Sequence, residues 1–125
     1  MENLKLFFFD TYALHEIVHE SKNYNQYIKK ITLITTKLNL MELHYTLLRN
    51  YNLEYANQSF EYFKKFCIDF DDETIKQANE FRLKNYKREL SYIDCLGYIL
   101  AKKNNAKFLT GDEQFEDFEN VEYVK

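Results

Sequence analysis

LSYIDCLGYILAKKNNAKFLTGDEQF, Leu90 to Phe115, is the stretch that decides how the rest of the chain is read. Ser91 followed three residues later by Asp94 is a helix-start signal, in which each side chain caps the other's backbone donor. Apolar residues then recur at Ile93, Leu96, Leu100 and Ala101, the helical spacing. Asp94 therefore falls in the first turn of a helix that ends near Asn104 and Asn105. Ala106 to Leu109 read as a short buried strand, and Thr110-Gly111-Asp112 as the turn after it, with Gly111 suited to a left-handed backbone. One carboxylate thus opens a helix and another follows a strand.

In a parallel α/β sheet, strand C-termini and the N-termini of the following helices open on one edge. Asp94 and Asp112 are both expected there. Two further acids share that property. Leu4 to Phe9 is apolar apart from Lys5 and is closed by Asp10, which precedes a helix from Tyr12. Glu42 is expected in the first turn of the helix that follows a strand over Ile31 to Thr35. Four carboxylates, far apart in sequence, are predicted on one sheet edge.

A chain of 125 residues fits a single domain, and 46% hydrophobic with 18% aromatic content is ample for one core. No apolar run approaches the roughly 20 residues of a membrane span. The N-terminal run is short, carries Lys5 and ends in Asp10, so the expectation is a soluble, cytoplasmic protein without a membrane partner. Cys67 and Cys95 read as reduced core residues. With no proline and two glycines, all-β and loop-rich designs lack their turn residues. Gly97 lies inside a helix, where its use is close approach to the sheet.

The remaining elements follow from periodicity and caps. Helices are expected over Tyr12 to about Ser21, Tyr24 to Lys30, Glu42's segment to about Asn50, Leu53 to Lys65, and from an Asp71 cap to about Leu83. Further strands are expected at Phe66 to Phe70 and Val121 to Val124. Strands alternating with helices imply a mostly parallel sheet covered on both faces.

Each acid has a structural role open to it: Asp94 as Ser91's capping partner, Glu42 as Asn39's, and Asp10 and Asp112 as turn residues. Together, however, four carboxylates on one edge repel one another and raise their pKa values, which a bound cation would relieve. Oxygen ligands without a thiolate select Mg²⁺ or Mn²⁺.

Asp10 after the first strand, Glu42 in a mid-chain helix and IDCLGYILAKKNNAKFLTGDEQF together resemble the PIN-domain nucleases, including the VapC-type toxin ribonucleases. The resemblance spans nearly the whole chain and is most specific over Tyr92 to Phe115. It implies a three-layer α/β fold with a mostly parallel sheet of about five strands. It also implies that Asp10, Glu42, Asp94 and Asp112 form a catalytic metal site for Mg²⁺ or Mn²⁺. The activity implied is hydrolysis of phosphodiester bonds in RNA, leaving a 5′-phosphate. An antitoxin partner and a homodimer are implied in turn. Glu113, Glu116 and Asp117 lie nearby and stay outside the core set.

The formal net charge of −3 argues against a nucleic-acid enzyme until the four proposed ligands are set aside, which leaves −3 + 4 = +1. Arg82, Lys84, Lys87 and Arg88 gather just before the Ser91 helix start, where they are expected to hold phosphates. Tyr86 and Tyr92 interleave with them as candidates for stacking on bases. Two rival readings remain. His15-Glu16-Ile17-Val18-His19, HEIVH, matches the pattern in which two His bind Zn²⁺ and Glu acts as the base of a peptidase, with His44 or Glu42 as a third ligand. Its apolar stripe, Leu14, Ile17 and Val18, leaves both His on a flank. The other rival is a non-catalytic RNA-binding domain of the same fold.

Overall fold

The computed structural model describes residues 5–29 and 31–125, so Leu4 and Lys30, the expected ends of a strand and a helix, lie outside the described residues. The chain runs through β1 (Lys5–Phe9), α1 (Thr11–Val18), a 3₁₀ segment (Lys22–Ile28), β2 (Ile31–Ile34), α2 (Lys37–Asn50) and α3 (Leu53–Lys64). It continues through α4 (Asp72–Lys84), α5 (Tyr92–Lys103), β3 (Lys107–Thr110), a 3₁₀ turn (Glu113–Phe115) and β4 (Val121–Tyr123).

Among the described residues the sheet has four strands in the order β2-β1-β3-β4, every neighbouring pair parallel. Phe7 lies opposite Leu33 and Lys107, and Phe9 opposite Leu109. The fifth strand expected at Phe66 to Phe70 is reduced to one bridge between Thr35 and Cys67. The amides of Phe66 and Cys67 are still bonded back to the carbonyls of Phe63 and Lys64 at the end of α3, so the bridge rests on two bonds, from the Thr35 amide to Phe66 O at 3.1 Å and from the Ile68 amide to Thr35 O at 2.9 Å.

Side chains alternate across a strand, and β1 shows what that does in a sheet covered on both faces. Phe7 and Phe9 enter one core with Leu14, Leu40, Leu43, Leu47 and Phe63. Phe8 points the other way and packs with Leu96, Leu100, Phe108 and Phe115. Helices α1 to α3 therefore cover one face and α4 with α5 the other, giving a three-layer α/β/α arrangement.

Gly97 is what lets α5 lie close on the sheet: a Cβ there would sit 2.6 Å from Phe8 Cε1 and 3.1 Å from Phe108 Cε1. Gly111 corrects its expectation. Its φ is not positive; the residue is small because a Cβ would sit 2.1 Å from Tyr12 Cε1. Left-handed backbone appears instead at Glu20, Asn105 and Asn120, with φ of 54°, 54° and 63°. Asn105 ends α5: its amide bonds Lys102 O while the amide of Ala106 reaches Ala101 O at 2.8 Å, closing the helix as the Asn104-Asn105 pair predicts.

Candidate functional site

Three of the four expected acids are placed by helix-start chemistry. Asp10 caps α1, its Oδ1 accepting from the amide of Ala13 at 2.8 Å. Asp94 sits in the first turn of α5, where its amide donates to Ser91 Oγ at 3.0 Å. Asp112 caps the 3₁₀ turn after β3, accepting from the amide of Gln114 at 3.0 Å. Asp10, Asp94 and Asp112 line one shallow cleft of about 390 Å³ with Tyr12, Gly111, Glu113, Gln114 and Lys125.

Glu42 arrives differently from its expectation. Helix α2 begins at Lys37 after a Thr36 cap, so Glu42 lies in the second turn rather than the first. It does not pair with Asn39. Thr11 Oγ1 donates to Glu42 Oε1 at 2.5 Å, Asn39 Nδ2 donates to Thr11 Oγ1 at 3.2 Å, and Thr36 Oγ1 donates to Asn39 Oδ1 at 2.6 Å. This chain ties the start of α2 to the start of α1. Thr36 and Asn39 are almost wholly buried; the sequence pointed to Asn39 only as a capping partner of Glu42 and left Thr36 unnoticed. Their signal was polar side chains immediately after a predicted strand, where the core leaves no water to satisfy them.

The electrostatics of the cleft are those of like charges held together. Asp10, 2% exposed, has its pKa raised to about 8 by burial, with further raising from Asp94 and Asp112 opposed by hydrogen bonds from Thr110 and Ala13. Asp94 is raised to about 6, first by burial and then by Glu42 and Asp112, against its bonds with Ser91. The acids therefore feel one another, as their placement on a common edge predicts. Among the described residues no three His, Cys, Asp or Glu side chains close into a direct ligand set. Oxygen donors around a desolvated carboxylate fit a hard cation held through one or two carboxylates and its own waters.

Two of the three outlying acids are held in ion pairs, Glu113 at the wall of the acid cleft itself and Asp117 beside the second cleft. Glu113 pairs with Lys125, and Asp117 accepts from Arg88 at 2.7 Å and 2.9 Å through both guanidinium ends. The basic residues divide. Arg82 and Arg88 line a second cleft of about 320 Å³ with Asn79, Leu83, Tyr86 and Tyr92. Lys84 and Lys87 are exposed beyond that lining. The Arg82 guanidinium lies 4.2 Å from the Tyr92 ring centroid, and its Nε donates to Leu90 O at 3.0 Å. Arg88 also donates to Gln114 O at 2.7 Å, so one side chain touches both clefts.

The HEIVH pattern does not assemble a peptidase centre. His15 and His19 do meet, Nε2 to Nε2 at 3.0 Å. Glu16, however, accepts from Ser21, Glu42 is held by Thr11, and His44 contacts Asn57 Oδ1 at 2.8 Å. Among the described residues no third ligand joins the pair, and the carboxylate of the pattern's base is taken by Ser21.

The model of the PIN domain matches residues 7–121, all but the ends of the chain. The chain belongs to the PIN domain family. Solved structures share this PIN fold at low sequence identity. The chain is similar to Mycobacterium tuberculosis VapC20, a toxin that cleaves the sarcin-ricin loop, with a TM-score of 0.79 and 17% identity over 95% of this chain and 99% of that one. It is also similar to a chain of the DNA-bound VapBC of Salmonella typhimurium, TM-score 0.74 and 19% identity, covering 97% of each. VapBC2 of Rickettsia felis, bound to a promoter DNA fragment, gives 0.71 and 19% over 96% of this chain and 99% of that one. No curated protein matches this PIN domain by sequence.

Proposed function

We propose that this PIN domain is a metal-dependent endoribonuclease, with Asp10, Glu42, Asp94 and Asp112 as its catalytic acids, acting as the toxin of a toxin–antitoxin pair. The observation that carries the reading is that Asp10, Asp94 and Asp112 line one cleft at the sheet's C-terminal edge, where burial first and neighbouring carboxylates second raise Asp10 and Asp94. An uncompensated buried carboxylate is unfavourable, and a cation is the partner that such a site accepts. Mg²⁺ or Mn²⁺ bound there would polarise a phosphate oxygen and lower the pKa of a water. One or two of Asp10, Asp94 and Asp112 would ligate it directly and the others through its waters. Thr11 keeps the Glu42 carboxylate directed between α1 and α2, and Ser91 fixes Asp94 at the helix start.

The substrate path follows from Arg88, which touches both clefts. A single strand whose scissile phosphate sits at the acids would lay its next nucleotides on Arg82, Arg88, Tyr86 and Tyr92, with Lys84 and Lys87 at the rim. The exposed tyrosines, 70% and 66% accessible, offer stacking faces that tolerate any base. The toxin role is supported by the PIN fold shared with members of VapBC complexes.

Cleavage of a single-stranded RNA at saturating Mn²⁺ by wild type and Asp94→Asn tests the reading. Asn preserves size and most of the helix-start bonding, so a purely structural Asp94 leaves cleavage near wild type. As a ligand, its loss lowers metal-dependent cleavage by orders of magnitude, while the metal-free protein melts no lower. Near-wild-type cleavage by the variant would remove Asp94 from the site.

A further inference from the structure

Helix α1 carries the Asp10 cap at its start and two imidazoles at its end. His15 and His19 are one helical turn apart, and the His19 amide still bonds His15 O at 3.1 Å, so the backbone holds the two rings on one face. Their ring planes meet at 67° and their Nε2 atoms are 3.0 Å apart. Both rings are half-buried rather than sealed in the core.

With metal–nitrogen bonds of about 2.0–2.1 Å, a 3.0 Å separation of the two nitrogens corresponds to an angle at the ion of about 95°. That is the angle of adjacent positions in a square-planar or octahedral shell and is tighter than a tetrahedron requires. Imidazole is a ligand for nickel, copper and zinc, whereas the acid cleft selects hard ions. A second observation concerns the far side of one ring. The His19 Nδ1 lies 3.2 Å from Tyr51 Oη, and the two rings are 5.6 Å apart. A ligating imidazole needs its other nitrogen fixed by a hydrogen-bond partner, and Tyr51, at the end of α2, stands where that partner belongs.

We propose that His15 and His19 form a two-imidazole site for a divalent transition-metal ion, of the Ni²⁺ or Cu²⁺ class, separate from the acid cleft. Water completes the shell, since no third His, Cys, Asp or Glu joins the pair among the described residues. At a rise of about 1.5 Å per residue, the pair lies on the order of 10 Å along α1 from Asp10. The ion would clamp the last turn of α1 and, through Tyr51, brace it against the junction of α2 and α3.

Untagged protein is titrated with Ni²⁺ in saturating Mg²⁺, which occupies hard-ion sites, and affinity is read by calorimetry and by the shift in melting temperature. Wild type should bind one Ni²⁺ per chain and melt higher. His15→Gln and His19→Gln should each lose most of the affinity and the shift, and His44→Gln should lose neither. Tyr51→Phe should weaken binding by about tenfold without removing it. Electron paramagnetic resonance of the one-to-one Cu²⁺ complex should show two imidazole nitrogens in wild type and one in each single variant. Equal Ni²⁺ affinity in wild type and the double variant would overturn the site. So would a wild-type Cu²⁺ spectrum with fewer than two imidazole nitrogens, a result that does not depend on any variant folding.

Discussion

Asp10 sits in an environment that departs far from its chemistry in water. Its pKa in the folded chain is about 8, against about 3.8 for the ordinary carboxyl. Between those values the folded state keeps a proton that the unfolded chain has released, so raising pH through this window lowers stability. The contribution is fully present below about pH 4 and is lost as pH passes 8; Asp94 adds a narrower window ending near 6. Melts in chelator from pH 5 to pH 8 should show a falling melting temperature. Asp10→Asn should flatten the fall above pH 6, and Mn²⁺ should restore stability at pH 8 in wild type only. A wild-type melting temperature that is level across the range would mean that Asp10 is not desolvated.

At the scale of elements, two backbone positions make opposite predictions. Gly97 is where α5 meets Phe8 and Phe108, so Gly97→Ala forces an aromatic side chain or the helix to shift despite the better helix propensity of Ala. Such overpacking costs about 1–3 kcal/mol. A denaturant midpoint equal to or above wild type would show that the layers are not so tightly fitted. Glu20 ends α1 in a left-handed conformation, with its amide bonded to Ile17 O and the amide of Ser21 to Glu16 O. Glycine adopts that backbone without a Cβ clash, so Glu20→Gly should stabilise by about 1 kcal/mol, less the entropy glycine loses on folding. The same unfolding curves measure it. Helix starts were the most legible elements: Asp71 accepts from the Thr74 amide at 2.9 Å, as its position before an apolar-periodic segment implied. The strand at Phe66 to Phe70 was less so, because the pull of the α3 end on Phe66 and Cys67 is not visible in their hydrophobicity.

Over the whole molecule, charge is distributed rather than balanced. Acids collect in one cleft and Arg82, Lys84, Lys87 and Arg88 beside it, in a chain whose formal net charge is −3. Binding of an uncleaved single-stranded RNA to the Asp94→Asn protein should weaken with salt. Each lost phosphate contact should lower the slope of log affinity against log salt by about 0.7. Lys87→Ala should show that reduction. Arg88→Ala should show less of it, because Asp117 already neutralises the guanidinium, and Arg82→Ala should also weaken stacking through Tyr92. Filter-binding isotherms at several salt concentrations distinguish these cases; slopes unchanged in all three variants would remove the basic cleft from the RNA path. No helix among the described residues is long and apolar enough to cross a membrane.

What the sequence determined by itself was local and periodic. The alternation of strands with helices implied parallel wiring, and parallel wiring implied the edge on which Asp10, Asp94 and Asp112 appear, because each follows a strand or opens a helix. Those statements need only backbone geometry and caps. The tertiary structure alone decided the partners of side chains. It linked Glu42 to Thr11, 31 residues away, and Arg88 to Asp117, 29 residues away. It also set Tyr12, rather than a left-handed turn, as the reason for Gly111, and brought Tyr51 to His19 from the end of another helix. Contacts between residues so far apart in the chain leave no periodic trace; they exist only once the layers have packed and the angle between helices is set.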